Sequence, residues 1–230
     1  MQSNVLTTPN ADDSQIIKYL VDSLQQRGVK YNPVEDRTEQ LDNSAIIAAI
    51  SGGDRTKGSC ASAGLAYIGQ QLGYDIRDFR GGESQDFFSN GLNLYQLSIS
   101  DGMKSIHADG ASSVTVGNRL LQKVEDGKEY YLVIGKHAAM VRKSESGELQ
   151  YLELQSPNRS GWTNFGKEIR SVLRTRFGCS TSSDSGYSAN FDFMIDVAES
   201  NFKTNAFRSL LGFLNTAVGD EKKGKYGTIR

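Results

Sequence analysis

Residues 130–155 read YYLVIGKHAAMVRKSESGELQYLELQ, and the periodicity of this stretch decides the fold class. Short runs rich in Tyr, Val, Ile and Leu, punctuated by Gly and Ser, predict three strands at Tyr130–Ile134, His137–Lys143 and Leu149–Gln155. The last two are expected to form a hairpin with Glu145, Ser146 and Gly147 as its loop and Gly147 in the left-handed region. That register sets His137 opposite Gln155, with Glu153 diagonal to it on the same face. It also aligns Ala138 with Leu154 and Met140 with Leu152, which gives one apolar face. Sliding by one residue would place Met140 against Tyr151 and mix the faces, so the hydrophobic pattern selects the first register.

Outward from the strands the period changes to that of helices. Asp13 and Ser14 can cap a helix that carries Ile16, Ile17, Leu20, Val21 and Leu24 and stops at Gly28. A loop through Pro33 leads to a short apolar helix from Asn43 to Ile50. A small-residue loop then opens a helix from about Cys60 to Leu72, with Ala61, Leu65, Ile68 and Leu72 at helical spacing and Gly73 closing it. Ile76–Phe79 reads as a short strand, residues 81–117 as irregular, 118–124 as a short helix and 156–170 as a loop. Further helices are expected at 171–177 and 201–214, with a strand of alternating apolar residues at Phe191, Phe193, Ile195 and Val197.

Helices first and an antiparallel sheet later predict an α+β fold rather than a βαβ array. The expected organisation is a loose lead-in over 1–12, a single domain over 13–215 with a core at about 43–200, and a Lys/Gly-rich tail over 216–230.

Several function classes are disfavoured by composition. The 230 residues carry 26 basic and 27 acidic side chains, so no concentrated positive charge favours a nucleic-acid partner. The 37 % of hydrophobic residues can supply a core without disulfides or metal. Two cysteines and two histidines make no CxxC or HExxH spacing, so neither metal nor cofactor is expected. No apolar run approaches a membrane span and the start lacks the pattern of a signal peptide, which predicts a soluble protein.

Chemistry concentrates at Cys60. A thiol at a helix amino terminus, set among small residues, leaves room for a carbonyl and offers backbone N–H groups to an oxyanion. The alternative is a small core residue. Cys179, beside Gly178 and a Ser-rich loop, has no such setting. A base must come from His107 or His137. His107 lies in SIHADG and reads as a surface loop residue, whereas His137 begins a strand. Glu153 is the expected orienting acid, with Gln155 and Asn158 as substitutes.

The segments GSCASAGLAYIGQQLGYDI (58–76), GKHAAMVRK (135–143) and GELQYLELQSPNRSGW (147–162) together resemble a papain-like cysteine hydrolase. More narrowly, they resemble the papain-fold toxin domains of bacterial polymorphic toxins and related prophage proteins. The resemblance implies a compact papain-like domain and thiolate attack on an amide or ester by Cys60, with His137 as base and Glu153 and Gln155 in the family's acid and glutamine positions. It further implies a protein substrate, a cognate inhibitor or immunity protein, and delivery by a phage or secretion system into the cytoplasm of a target cell. The segment before Cys60 reads DRTKGS and lacks the glutamine often placed there, so an oxyanion donor would be backbone, Ser59 or Thr56. The end of the chain resembles terminal segments of phage head-associated proteins. A competing expectation is a structural or interaction protein whose papain-like scaffold has no working site. In a further reading, Phe87, Phe88, Leu92, Leu94 and Tyr95 line a partner groove, their alternative role being core.

Overall fold

A computed structural model describes residues 14–50, 60–76, 82–154, 161–182 and 191–214. The expected lead-in and tail, and the candidates Thr56, Ser59, Gln155 and Asn158, lie outside the described residues.

The helix expected first is present as α1 (Gln15–Gln26), where the Ser14 hydroxyl accepts from the Ile17 N–H at 3.3 Å and Gly28 adopts φ +71° just beyond the end. Ile17, Leu20, Val21 and Leu24 form its buried stripe. α2 (Asn43–Ile50) and α3 (Cys60–Gln71) follow at the expected places. α3 differs from the expected one-sided helix, because every residue from Ala61 to Gln70 is buried. Its small side chains let neighbours close in from all directions.

Other boundaries move. The described strand after α3 is β2 (Tyr74–Asp75), which pairs with β1 (Glu35–Asp36), while residues 77–79 of the strand expected at Ile76–Phe79 lie outside the described residues. Part of the stretch expected to be irregular is two helices, α4 (Gly82–Phe88) and α5 (Gly91–Ser98), and a short β3 (Ser105–Ile106). Asn90 caps α5 by accepting from the Leu92 N–H at 2.9 Å. α6 (Ser113–Leu121) begins earlier than expected, since Ser112 serves as its cap. Between them, β4 (Glu129–Ile134), β5 (His137–Lys143) and β6 (Leu149–Glu153) occupy the expected stretch. β7 (Gly161–Asn164) lies where a loop was expected, α7 (Ile169–Thr175) starts two residues early, and β8 (Phe193–Asp196) precedes the last helices. The terminal helix is divided into α8 (Glu199–Phe202) and α9 (Asn205–Leu211), with Thr204 capping the second piece through the Phe207 N–H at 3.1 Å.

The strands β3-β8-β4-β5-β6-β7 form one antiparallel sheet in that order. The β5–β6 register is the one the hydrophobic pattern selects, with Val141 opposite Tyr151 and Arg142 opposite Gln150, and Gly147 takes φ +79° in the loop. The fold class is α+β, with the early helices packed on a mostly antiparallel sheet.

Both faces of that sheet are covered, so the face that carries His137 and Glu153 is packed as well. Tyr131, Val133, Ala138, Met140, Leu152 and Leu154 join the core beneath α1–α5, α8 and α9. Tyr130, Leu132, Ile134, Ala139, Val141 and Tyr151 alternate with them into a second core under α6 and α7. No helix among the described residues is long and apolar enough to cross a membrane.

α3 comes close to the sheet because Gly64 has no side chain. A Cβ there would stand 2.5 Å from Cε2 of Tyr131. That ring is fully buried, and its hydroxyl donates to the Ala61 carbonyl at 3.1 Å, so it cannot swing away cheaply. Gly64→Ala should therefore lower stability by about 2 kcal/mol through overpacking, read as a reduced denaturation midpoint. An unchanged midpoint would show that α3 is not clamped at this point.

Candidate functional site

Cys60 is the first residue of α3, and His137 is the first of β5. The head of α3 is held against β4 by the Tyr131–Ala61 bond, and the thiol sulfur accepts backbone N–H groups of Ala138, Ala61 and Cys60 itself. His137 follows a two-residue turn, since Ile134 pairs with His137 across Gly135 and Lys136. Gly135 has φ +59° there, the left-handed first position that a II′ hairpin requires. A Cβ on Gly135 would meet the Phe177 carbonyl at 2.7 Å, so only glycine serves. The turn is pinned on both sides, by Gly135 N–H to Asp192 Oδ1 at 2.9 Å and by Lys136 N–H to the Phe177 carbonyl at 2.8 Å. The imidazole rests edge-on against Phe177, with ring centroids 5.2 Å apart.

The two reactive groups arrive from opposite sheet faces. Cys60 belongs with the core under α3, whereas strand parity and the Phe177 contact put His137 on the α7 side. They converge at the end of the sheet beside the Gly135–Lys136 turn, where both line one open cleft of about 480 Å³ with Leu94, Phe191 and Asp192.

Behind this cleft β5 and β6 separate. Their pairing ends at Val141–Tyr151, while β6 stays paired with β7 as far as Glu153 opposite Gly161. The gap so opened is lined by Cys60, His137, Ala138, Ala139 and Glu153. Glu153 lines this gap with the two candidates, and its carboxylate is buried in an ion pair with Arg176, which the sequence reading missed. No local pattern marks Arg176. It follows α7, and only tertiary packing carries it across to β6.

The electrostatics differ from those expected of a helix-activated thiolate. Burial pushes the Cys60 thiol above its ordinary value, and the three N–H donors and the Arg176 charge only partly offset this. Burial and the same guanidinium push His137 down to about 3. At neutral pH the pair is therefore a thiol and a neutral imidazole, because in this half-buried setting, beside the Arg176 charge, the cost of charging either ring or sulfur exceeds the helix-end attraction. Such a pair can still transfer a proton once a carbonyl is presented to the sulfur.

Among the other candidates, His107 is exposed, with Nε2 3.0 Å from the Ser105 hydroxyl. Cys179 is buried and its thiol is pushed up to about 12 by burial and by the nearby Asp192 carboxylate, which leaves it inert. Trp162 is stacked under the Arg142 guanidinium at 3.9 Å. Phe87 and Phe88 are core residues, while Leu92 is exposed and Leu94 lines the cleft. The described residues contain no group of three or more metal-ligating side chains.

What fold and site define together is a mixed α+β protein with a thiol and an imidazole on one cleft and a buried acid–guanidinium pair behind them. No protein-family model matches the chain, and no curated protein or solved structure matches it.

Two outcomes follow from the buried charges. The His137 ring should stay neutral at pH 5 by NMR, and Arg176→Met should move its titration upward; titration near 6.5 in the unaltered protein would contradict the buried placement. Because the unfolded chain takes up this proton at about 6.5 and the folded one at about 3, stability should fall as pH drops between those values. The fall should be smaller in His137→Gln.

Proposed function

We propose that the chain is a papain-like cysteine hydrolase that acts on an amide bond of a protein, by peptide cleavage or glutamine deamidation. The observation that carries this reading is that Cys60, at the head of a helix, and His137, at the head of a strand, line the same open cleft.

In this reading His137 takes the Cys60 proton as the sulfur attacks the substrate carbonyl carbon. The new S–C bond leaves an oxyanion, which the N–H groups of the first turn of α3 receive, since a helix start has no internal partners for them. The intermediate collapses as the C–N bond breaks, and the imidazolium returns its proton to the leaving amine or ammonia. Water, deprotonated by the same imidazole, then hydrolyses the thioester and frees the thiol. Glu153 favours the transient imidazolium by its charge, and Arg176 keeps that carboxylate ionised in a buried setting. A toxin or effector role, with an immunity protein that covers the cleft, extends the same reading.

Two observations favour a second reading, a scaffold without turnover. The thiol is raised rather than lowered, and the acid is already paired with Arg176.

The two readings separate by mass spectrometry of a proteome-derived peptide mixture incubated with the protein. The hydrolase should generate new termini, or glutamine-to-glutamate conversions, that vanish with Cys60→Ala. His137→Gln should slow them by about 10² or more. Identical peptide maps for the unaltered protein and Cys60→Ala would overturn the enzyme reading.

A further inference from the structure

The cleft holds a second acid that the proposed chemistry does not use. Asp192, just ahead of β8, lines the cleft and is 5 % exposed. Its Oδ1 accepts the Gly135 N–H at 2.9 Å, while its Oδ2 is buried and has no hydrogen-bond partner among the described residues. A desolvated carboxylate oxygen without a donor is costly, by roughly 1–3 kcal/mol or more for a charged group. The cation that lines the same cleft, Lys136, makes no ion pair with it among the described residues, and Arg176 is engaged with Glu153.

The walls around Asp192 suit a long side chain with a charged tip. Leu94, Val133 and Phe191 supply apolar surface for a methylene stem, and the exposed Asp86 adds negative charge on the same cleft.

We infer that this cleft recognises a cationic side chain of the substrate, a lysine or arginine, whose terminal N–H groups are received by the free oxygen of Asp192. The inference rests on the hydrolase reading and adds the substrate class to it. Asp192 is a recognition residue here, and the turn that carries His137 shares its other oxygen.

The test is the reactivity of Cys60 toward ω-aminoalkyl methanethiosulfonates, from ethyl to pentyl, and toward their uncharged alkyl counterparts. Each transfers its alkylthio group to the thiol sulfur with loss of methanesulfinate and the thiol proton. Modification is read at Cys60 by peptide mass mapping. At the best chain length the cationic reagent should react about tenfold faster or more, as a charged hydrogen bond implies, and this preference should fall to near unity in Asp192→Asn. Asp86→Asn should keep most of it.

Equal rates in the unaltered protein, or an undiminished preference in Asp192→Asn, would overturn the inference. Should Asp192→Asn fail to fold by circular dichroism, the unaltered protein serves. Burial raises the Asp192 carboxyl to about 6, so the preference should be lost as the pH falls below that value. The other titratable and charged groups around it are the raised Cys179 thiol, the low-titrating His137, Lys136 and Asp86. A preference that persists in acid would sink the idea. Modification of Cys60 without charge preference removes only the recognition role, whereas a Cys60 that no reagent reaches removes the hydrolase reading as well.

Discussion

The bond from the Tyr131 hydroxyl to the Ala61 carbonyl, with Gly64 one turn further on admitting the Tyr131 ring, is the constraint on which the site depends. A helix that bore any side chain at position 64 would ride higher on the sheet. The sulfur of Cys60 could then no longer accept the Ala138 N–H, because that contact requires the helix head to touch β5 directly. The absence of one methyl group thus sets the position of the candidate nucleophile relative to the strand that carries His137.

The second determinant is the parting of β5 from β6. Continuous pairing beyond Val141 would fill the space behind the cleft with ladder hydrogen bonds. The separation instead leaves a small pocket lined by Cys60, His137 and Glu153, and Glu153 is held there by its ion pair with Arg176. One guanidinium then acts on three groups at once: it pairs with Glu153, depresses His137 and draws Cys60 down against its burial. The candidate pair, Cys60 and His137, thus rests uncharged.

Much of the framework was legible before any coordinates. The hairpin register followed from Ala138, Met140, Leu152 and Leu154 sharing a face, with Gly147 as the left-handed loop residue, and α1 followed from its cap and its apolar stripe. Helices α4 and α5 were not legible, since each is a single short stretch of mixed polarity whose burial is supplied by neighbours, and β7 is four residues whose strand character comes from pairing with β6. The packing of the face that carries His137 and Glu153 was not legible either. Ala139, Val141 and Tyr151 on that face meet α6 and α7, whose packing no local pattern announces.

The α+β class, the strand register and the choice of Cys60, His137 and Glu153 as candidates can be read from the chain alone. Those choices depend on short-range periodicity and on the chemistry of single side chains. Tertiary packing adds that Arg176 pairs with Glu153, that Asp192 lines the cleft with one oxygen unpartnered among the described residues, and that the thiol and imidazole rest neutral. Burial and long-range charge contacts set those properties, and they come into being when distant segments pack together.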